Sequence, residues 1–113
     1  MRTSVVERQS PLAVRVTVTA EAVVVDLDDG RTVTAPLAWY PRLLRGTVRE
    51  CRRWRLIGGG EGIHWPDLDE DLSVEGLLAG RRSAESQTSF KRWLAARTRP
   101  RANRRMQPPA RRG

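Results

Sequence analysis

Polar and apolar positions first alternate with period two. Val14, Val16 and Val18 fall on one side, and Arg15, Thr17 and Thr19 on the other. Alternation carried by β-branched residues predicts a half-buried strand. Ala20-Glu21 break the run, and Val23, Val25 and Leu27 resume it as a second strand. Asp28-Asp29-Gly30-Arg31 predicts a tight hairpin turn, because Asp-Gly accepts the positive φ such turns demand. Val33, Ala35 and Leu37 make a third strand, limited by Pro36, which cannot donate a ladder hydrogen bond. The expectation is an antiparallel meander with one wet face, preceded by a flexible lead-in over residues 1–11.

The period then changes. Pro41 suits a first helical turn, and Leu43, Leu44, Thr47/Val48, Cys51 and Trp54 recur at steps of three and four. That stripe predicts one main helix covering the sheet, with Gly46 as a weak point inside it. Trp54–Ile57 and Ile63-His64-Trp65 predict a short hairpin around the glycine-rich turn 58–62, ended by Pro66. Ser73 is a good N-cap for a short helix over 74–79, stopped by Gly80, with Leu77 and Leu78 as its anchors. The fold class expected is therefore α+β. A small antiparallel β-meander is covered by one main helix, with a further short hairpin and a short helix, over residues 12–80. Residues 81–97 predict a basic amphipathic helix carrying Phe90, Trp93 and Leu94 within 84–97. Residues 98–113 predict a disordered Arg/Pro-rich tail.

Composition sharpens this picture. The chain has 113 residues and a mass of 12.8 kDa, with 39% hydrophobic and 30% charged residues. That is enough for one small domain and excludes a multi-domain enzyme. One cysteine, Cys51, excludes an internal disulfide framework and a site of several thiolates. The net charge is +8, but it is unevenly placed. Residues 1–80 hold 10 Arg and 12 acids, a sum of −2, while residues 81–113 hold 10 Arg, Lys91 and one acid, Glu85, a sum of +10. Of the 21 basic residues all but Lys91 are Arg, which suits phosphate and carboxylate pairing and equally fits a GC-rich genome. Apolar runs such as Ala22–Val25 stop at four residues, far short of the ~20 needed to cross a bilayer. The first residues show no apolar leader, so the expected location is cytoplasmic, with no membrane contact.

Three segments invite a chemical reading. Gly58-Gly59-Gly60-Glu61-Gly62 lacks the Lys-Ser/Thr of a phosphate loop and the third glycine of a dinucleotide fingerprint, so it reads as a turn. Asp67-Leu68-Asp69-Glu70-Asp71 opens like a calcium loop. It has Leu72 where a glycine is needed and Leu78 where a bidentate glutamate is needed. Its acids read as preceding a helix or as an acidic contact surface, and no metal or other cofactor is expected. His64 stands beside them as a possible general base, yet Ser73 and Cys51, the available nucleophiles, lack a recognisable context, so no catalytic residue is expected. Trp39, Trp54 and Trp65 read as packing over the core, whereas Trp93 with Phe90 and Leu94 forms an apolar patch within the basic extension.

The run Gly62-Ile63-His64-Trp65-Pro66, followed by Leu68-Asp69-Glu70-Asp71 and Ser73, closely resembles the hallmark of the bacterial family called Domain of Unknown Function 2442. Pro41–Thr47 and Leu77-Leu78-Ala79-Gly80 extend the resemblance over roughly residues 12–80. It implies a compact α+β domain with an antiparallel sheet and one main helix. It also implies a small protein encoded nearby as partner, of the family called Domain of Unknown Function 4160, with this chain as the antitoxin-like member of a toxin–antitoxin pair. The family offers no catalytic residues to carry over.

Two functional expectations follow. The first is a non-catalytic protein-interaction module with His64, Trp65, Asp67, Asp69, Glu70 and Asp71 as partner surface. The alternative is nucleic-acid binding, to DNA or RNA, through Arg92, Arg97, Arg99, Arg101, Arg104 and Arg105, with strong salt dependence and little sequence preference. A second copy of the chain could cover strand edges in so small a sheet.

Overall fold

The computed structural model describes residues 10–98. The lead-in before Ser10 and the tail from Arg99 onward, including Arg99, Arg101, Arg104 and Arg105, lie outside the described residues. Two units are distinguished, with the division between Ser83 and Ala84.

The first unit is built on two three-stranded antiparallel sheets. Strands β1 (Ala13–Val18), β2 (Ala22–Leu27) and β3 (Thr32–Pro36) form one sheet in sequential order. Its buried face follows the alternation: Val16 lies opposite Val25, and Val23 opposite Ala35. The other face is polar, with Arg15 paired to Asp26 at 3.0 Å and Thr32 donating to Asp26 at 2.9 Å. One position departs from the alternation. The β1–β2 register slips between Ala13 and Arg15, a bulge that turns Ala13 inward and leaves Val14 53% exposed. In the Asp28–Arg31 turn, Leu27 N–H donates to the Arg31 carbonyl, and Leu12 N–H donates to the Asp28 carboxylate.

The expected single main helix is two short ones, α1 (Pro41–Leu44) and α2 (Val48–Arg52). Gly46 lies in the break because nothing larger fits: a Cβ there would stand 2.8 Å from the Leu68 side chain and 3.1 Å from Cys51 Sγ. Thr47 then restarts the chain with a capping box, its hydroxyl accepting from Glu50 N–H while Glu50 accepts from Thr47 N–H. The break also shifts the helical phase. Leu43 and Cys51 are buried, whereas Leu44 and Val48, assigned to the same stripe by a continuous helix, are exposed.

The second sheet corrects the expected hairpin. Strands β4 (Arg55–Ile57), β5 (Gly62–Trp65) and β6 (Glu70–Ser73) pair in sequential order. The third strand uses part of the acidic run that was expected to lead into a helix. Ser73 ends β6 and caps α3 (Val74–Leu78), its hydroxyl accepting from Gly76 N–H at 2.9 Å. Val74 and Leu77 anchor that helix, while Leu78 points outward. The two sheets meet at Gly60, where a Cβ would lie 2.7 Å from the Ala13 carbonyl oxygen.

This unit runs past Gly80 to Ser83. Tyr40 Oη donates to the Arg81 carbonyl at 3.1 Å, Ser83 N–H donates to the Trp39 carbonyl at 3.1 Å, and the Arg82 guanidinium sits 5.0 Å from the Trp39 ring centre. Residues 81–83 thus finish the body, and the basic helix begins later than expected. It is α4 (Gln87–Thr98), in the second unit. Ser86 Oγ accepts from Ser89 N–H at its start, and Phe90 stacks on Trp93 with ring centres 5.8 Å apart. Among the described residues no helix is long and apolar enough to cross a membrane.

Candidate interaction surface

Register in the second sheet sorts the hallmark residues onto two faces. Arg55 lies opposite His64, His64 opposite Asp71, and Gly62 opposite both Ile57 and Ser73. Directly paired residues share a face, so these six form the outer face. Leu56, Ile63 and Leu72 pair with one another on the inner face, and Trp65 pairs there with Glu70.

Trp65 is therefore withdrawn from the expected partner surface. It is 0% exposed, and its indole N–H donates to the Cys51 carbonyl at 3.0 Å. A large aromatic facing the core fills it, and the indole nitrogen finds a backbone acceptor, as buried tryptophans require. Glu70 is also turned inward and half-buried, with its carboxylate near Tyr40. Burial of the phenol, reinforced by that carboxylate, pushes Tyr40 above its ordinary value. The folded protein thus holds this proton more tightly than the unfolded chain does. The resulting stability is complete below about pH 10 and is lost as pH rises above it. The urea midpoint should fall as pH rises above about 10, and Tyr40→Phe should flatten that fall.

The acidic turn is neutralised from within. Asp67 accepts both contacts from Arg53 Nη1 at 3.0 Å. Arg42 Nη1 donates to the carbonyls of Leu68 and Asp69, each at 3.2 Å, and lies 3.8 Å from the Asp69 carboxylate. Asp69 takes a positive φ of 52°, which aspartate tolerates better than most side chains. Leu68, the one apolar residue among the acids, is fully buried beneath the turn. The run is thus a plugged and arginine-clamped turn, and Asp67 is not a bare charge.

His64 and Asp71 remain on the outer face. His64 Nδ1 is hydrogen-bonded to Asp71 Oδ1, with the imidazole 20% and the carboxylate 65% exposed. Beside them is a shallow open groove of about 450 Å³, bounded by Ile57, Gly62, Asp71 and Ser73. The pair resembles the orienting half of a catalytic dyad. The nucleophiles are engaged otherwise: the Ser73 hydroxyl caps α3, and buried Cys51 has its thiol on the Leu43 carbonyl at 3.4 Å. Among the described residues, no group of three or more His, Cys, Asp or Glu side chains could hold a metal ion. Sequence reasoning missed Arg55, Ile57, Gly62 and Ser73 as members of this face. The period-two alternation of Glu70-Asp71-Leu72-Ser73, with Leu72 inward, was the signal for the third strand.

The expected nucleic-acid residues divide. Arg92 is exposed on α4, and the Arg97 guanidinium lies 4.9 Å from the Trp93 ring centre, a cation–π contact.

Comparison with known proteins adds the family. The family model described as "Protein of unknown function (DUF2442)" matches residues 13–83, the same span as the first unit without its lead-in. A crystal structure of a protein of unknown function from Rhodospirillum rubrum is 30% identical, with a TM-score of 0.60, covering 70% of this chain and 98% of that one. A solution structure of an uncharacterized protein from Chromobacterium violaceum is 22% identical, with a TM-score of 0.60 and 84% of each chain covered; it shows the fold alone. No curated protein matches the chain. With its model spanning both sheets and every hallmark residue, the chain belongs to the DUF2442 family.

Proposed function

We propose that the chain is a non-catalytic protein-interaction module whose contact face is the outer face of β4–β5–β6. The observation that carries this reading is the His64–Asp71 pair on an open sheet face beside a shallow groove. Exposed Ile57 adds an apolar contact and covers Gly62, where a Cβ would stand 3.0 Å from the Ile57 side chain. Asp71 on this face and Glu61 at the groove's edge favour a basic group on the partner and a salt-sensitive encounter. The engagement of Ser73 and Cys51 elsewhere supports a binding role over a hydrolytic one. The resemblance noted in the sequence supplies the finer form: an antitoxin-like member of a small bacterial pair, acting in the cytoplasm on a protein encoded nearby. Co-expression with the product of the neighbouring small gene should yield a complex that survives purification at low salt and weakens at physiological salt. Failure to co-purify at low salt as well as at physiological salt would count against the proposal.

A second reading is nucleic-acid binding by residues 81–113. Their charge of +10 supports it, as does the exposure of Lys91 and Arg92 on α4.

A further inference from the structure

The near-neutral body conceals a basic segment of its own. Residues 41–55 carry six arginines and one acid, Glu50, a charge of +5, which the remaining acids of residues 1–80 mask in the total. Two of the six are spent internally, Arg42 on the Leu68 and Asp69 carbonyls and Arg53 on Asp67. Glu50 is half-buried in the capping box. Arg49, Arg52 and Arg55 are all exposed and take part in no salt bridge among the described residues.

Their placement is fixed by the fold. Arg49 and Arg52 stand three residues apart on α2, so they are neighbours about 5–6 Å apart on one helix face. Arg55 opens β4 three residues later, at most about 11 Å further by chain reach. The three side chains are thus rooted on rigid elements along a strip of chain that spans at most roughly 16 Å, with Arg55 on the sheet face that carries His64. Exposed Val48 lies next to Arg49.

We infer that this strip binds the phosphate backbone of duplex DNA. Guanidinium forks match phosphate oxygens in pairs, and roots held on a helix and a strand suit phosphates held at fixed spacing. A single strand would need aromatic rings to stack on, and the exposed large hydrophobic residues of the described chain are all aliphatic. A reader of RNA 2′-hydroxyls would use neutral polar side chains, and residues 48–56 hold no Ser, Thr, Asn or Gln. The same sign of charge on residues 81–113 favours a long polyanion, which can meet both segments, over a compact acidic protein. The inference extends the second reading above from the tail to the body.

The test uses the full chain and a fluorescent mixed-sequence DNA duplex, titrated at several salt concentrations. Each lost phosphate contact lowers the slope of log affinity against log salt by about 0.9. The Arg49→Gln/Arg52→Gln/Arg55→Gln variant should therefore lose about 2 to 3 from the slope. An Arg15→Gln/Arg31→Gln variant, which removes paired arginines of the first sheet, should keep the wild-type slope. An unchanged slope in the triple variant, or an equal loss per arginine in the control, overturns the strip. Tighter binding to a poly-glutamate peptide or to single-stranded DNA than to the duplex also overturns it. An Arg101→Gln/Arg104→Gln/Arg105→Gln variant examines the tail separately. A full slope there, with a reduced slope in the body variant, rejects the tail reading and keeps the strip. No binding by the wild-type chain rejects both.

Discussion

Replacing Gly60 by alanine is expected to cost about 4 kcal/mol of folding stability, the sum of a steric and a backbone term. The new Cβ would lie 2.7 Å from the Ala13 carbonyl oxygen and 2.9 Å from Leu12 Cβ. Both obstacles belong to the chain entering β1, so neither is a flexible side-chain end that can swing away. Overpacking of this kind costs about 1–3 kcal/mol. The backbone adds a second penalty, because Gly60 has a φ of 118°, a region where a residue with a Cβ is strained by about 1–3 kcal/mol. Small domains have only about 5–15 kcal/mol to lose. In urea denaturation the midpoint should fall sharply with the m-value kept. A shift equivalent to less than about 1 kcal/mol would mean that the two sheets do not meet here as described.

Trp65→Ala is the second large effect. Truncating a fully buried aromatic costs about 3–5 kcal/mol, and here the Cys51 carbonyl also loses its indole donor. Trp65→Phe separates the two contributions, since it keeps most of the packing and loses the hydrogen bond. His64→Ala, one residue away on the opposite face, should cost only about 1 kcal/mol, the net worth of its hydrogen bond to Asp71. Thermal or urea unfolding of the three variants would establish whether adjacent hallmark residues serve core and surface separately. Equal losses at His64 and Trp65 would contradict the two-faced sheet.

Much of this fold was legible because local chemistry and burial agree. Val23, Val25 and Leu27 alternate without interruption and are all buried, and Ser73 caps the helix its side chain predicts. The departures have physical causes. Val14 follows the alternation, but a bulge overrides it, and nothing in a single strand's pattern marks where its partner slips. The stripe from Leu43 to Trp54 looks continuous, yet the approach of Leu68 to Gly46 breaks it; that contact joins residues more than twenty positions apart. The acidic run reads as one charged patch because four carboxylates dominate it. Only the clamps from Arg42 and Arg53 show which charges are already answered. Of the expected partner surface, the outer face keeps His64 and Asp71. Asp69 stays exposed on the turn, while Trp65 belongs to the core, Glu70 faces Tyr40, and Asp67 is tied to Arg53. The net charge of +8 misleads in a related way, since it hides a positive strip and a negative stretch within one small body.

The interaction face is the central claim, and one comparison tests it most directly. The chain is captured with its co-expressed partner as wild type, as Asp71→Lys and as Asp29→Lys, with folding of each variant checked by circular dichroism. Asp71 lies on the outer face of the second sheet, whereas Asp29 makes the same charge change in the exposed hairpin turn of the first. The account predicts that Asp71→Lys loses the partner and that Asp29→Lys retains it. Retention by a folded Asp71→Lys variant, or equal loss in both, would contradict it.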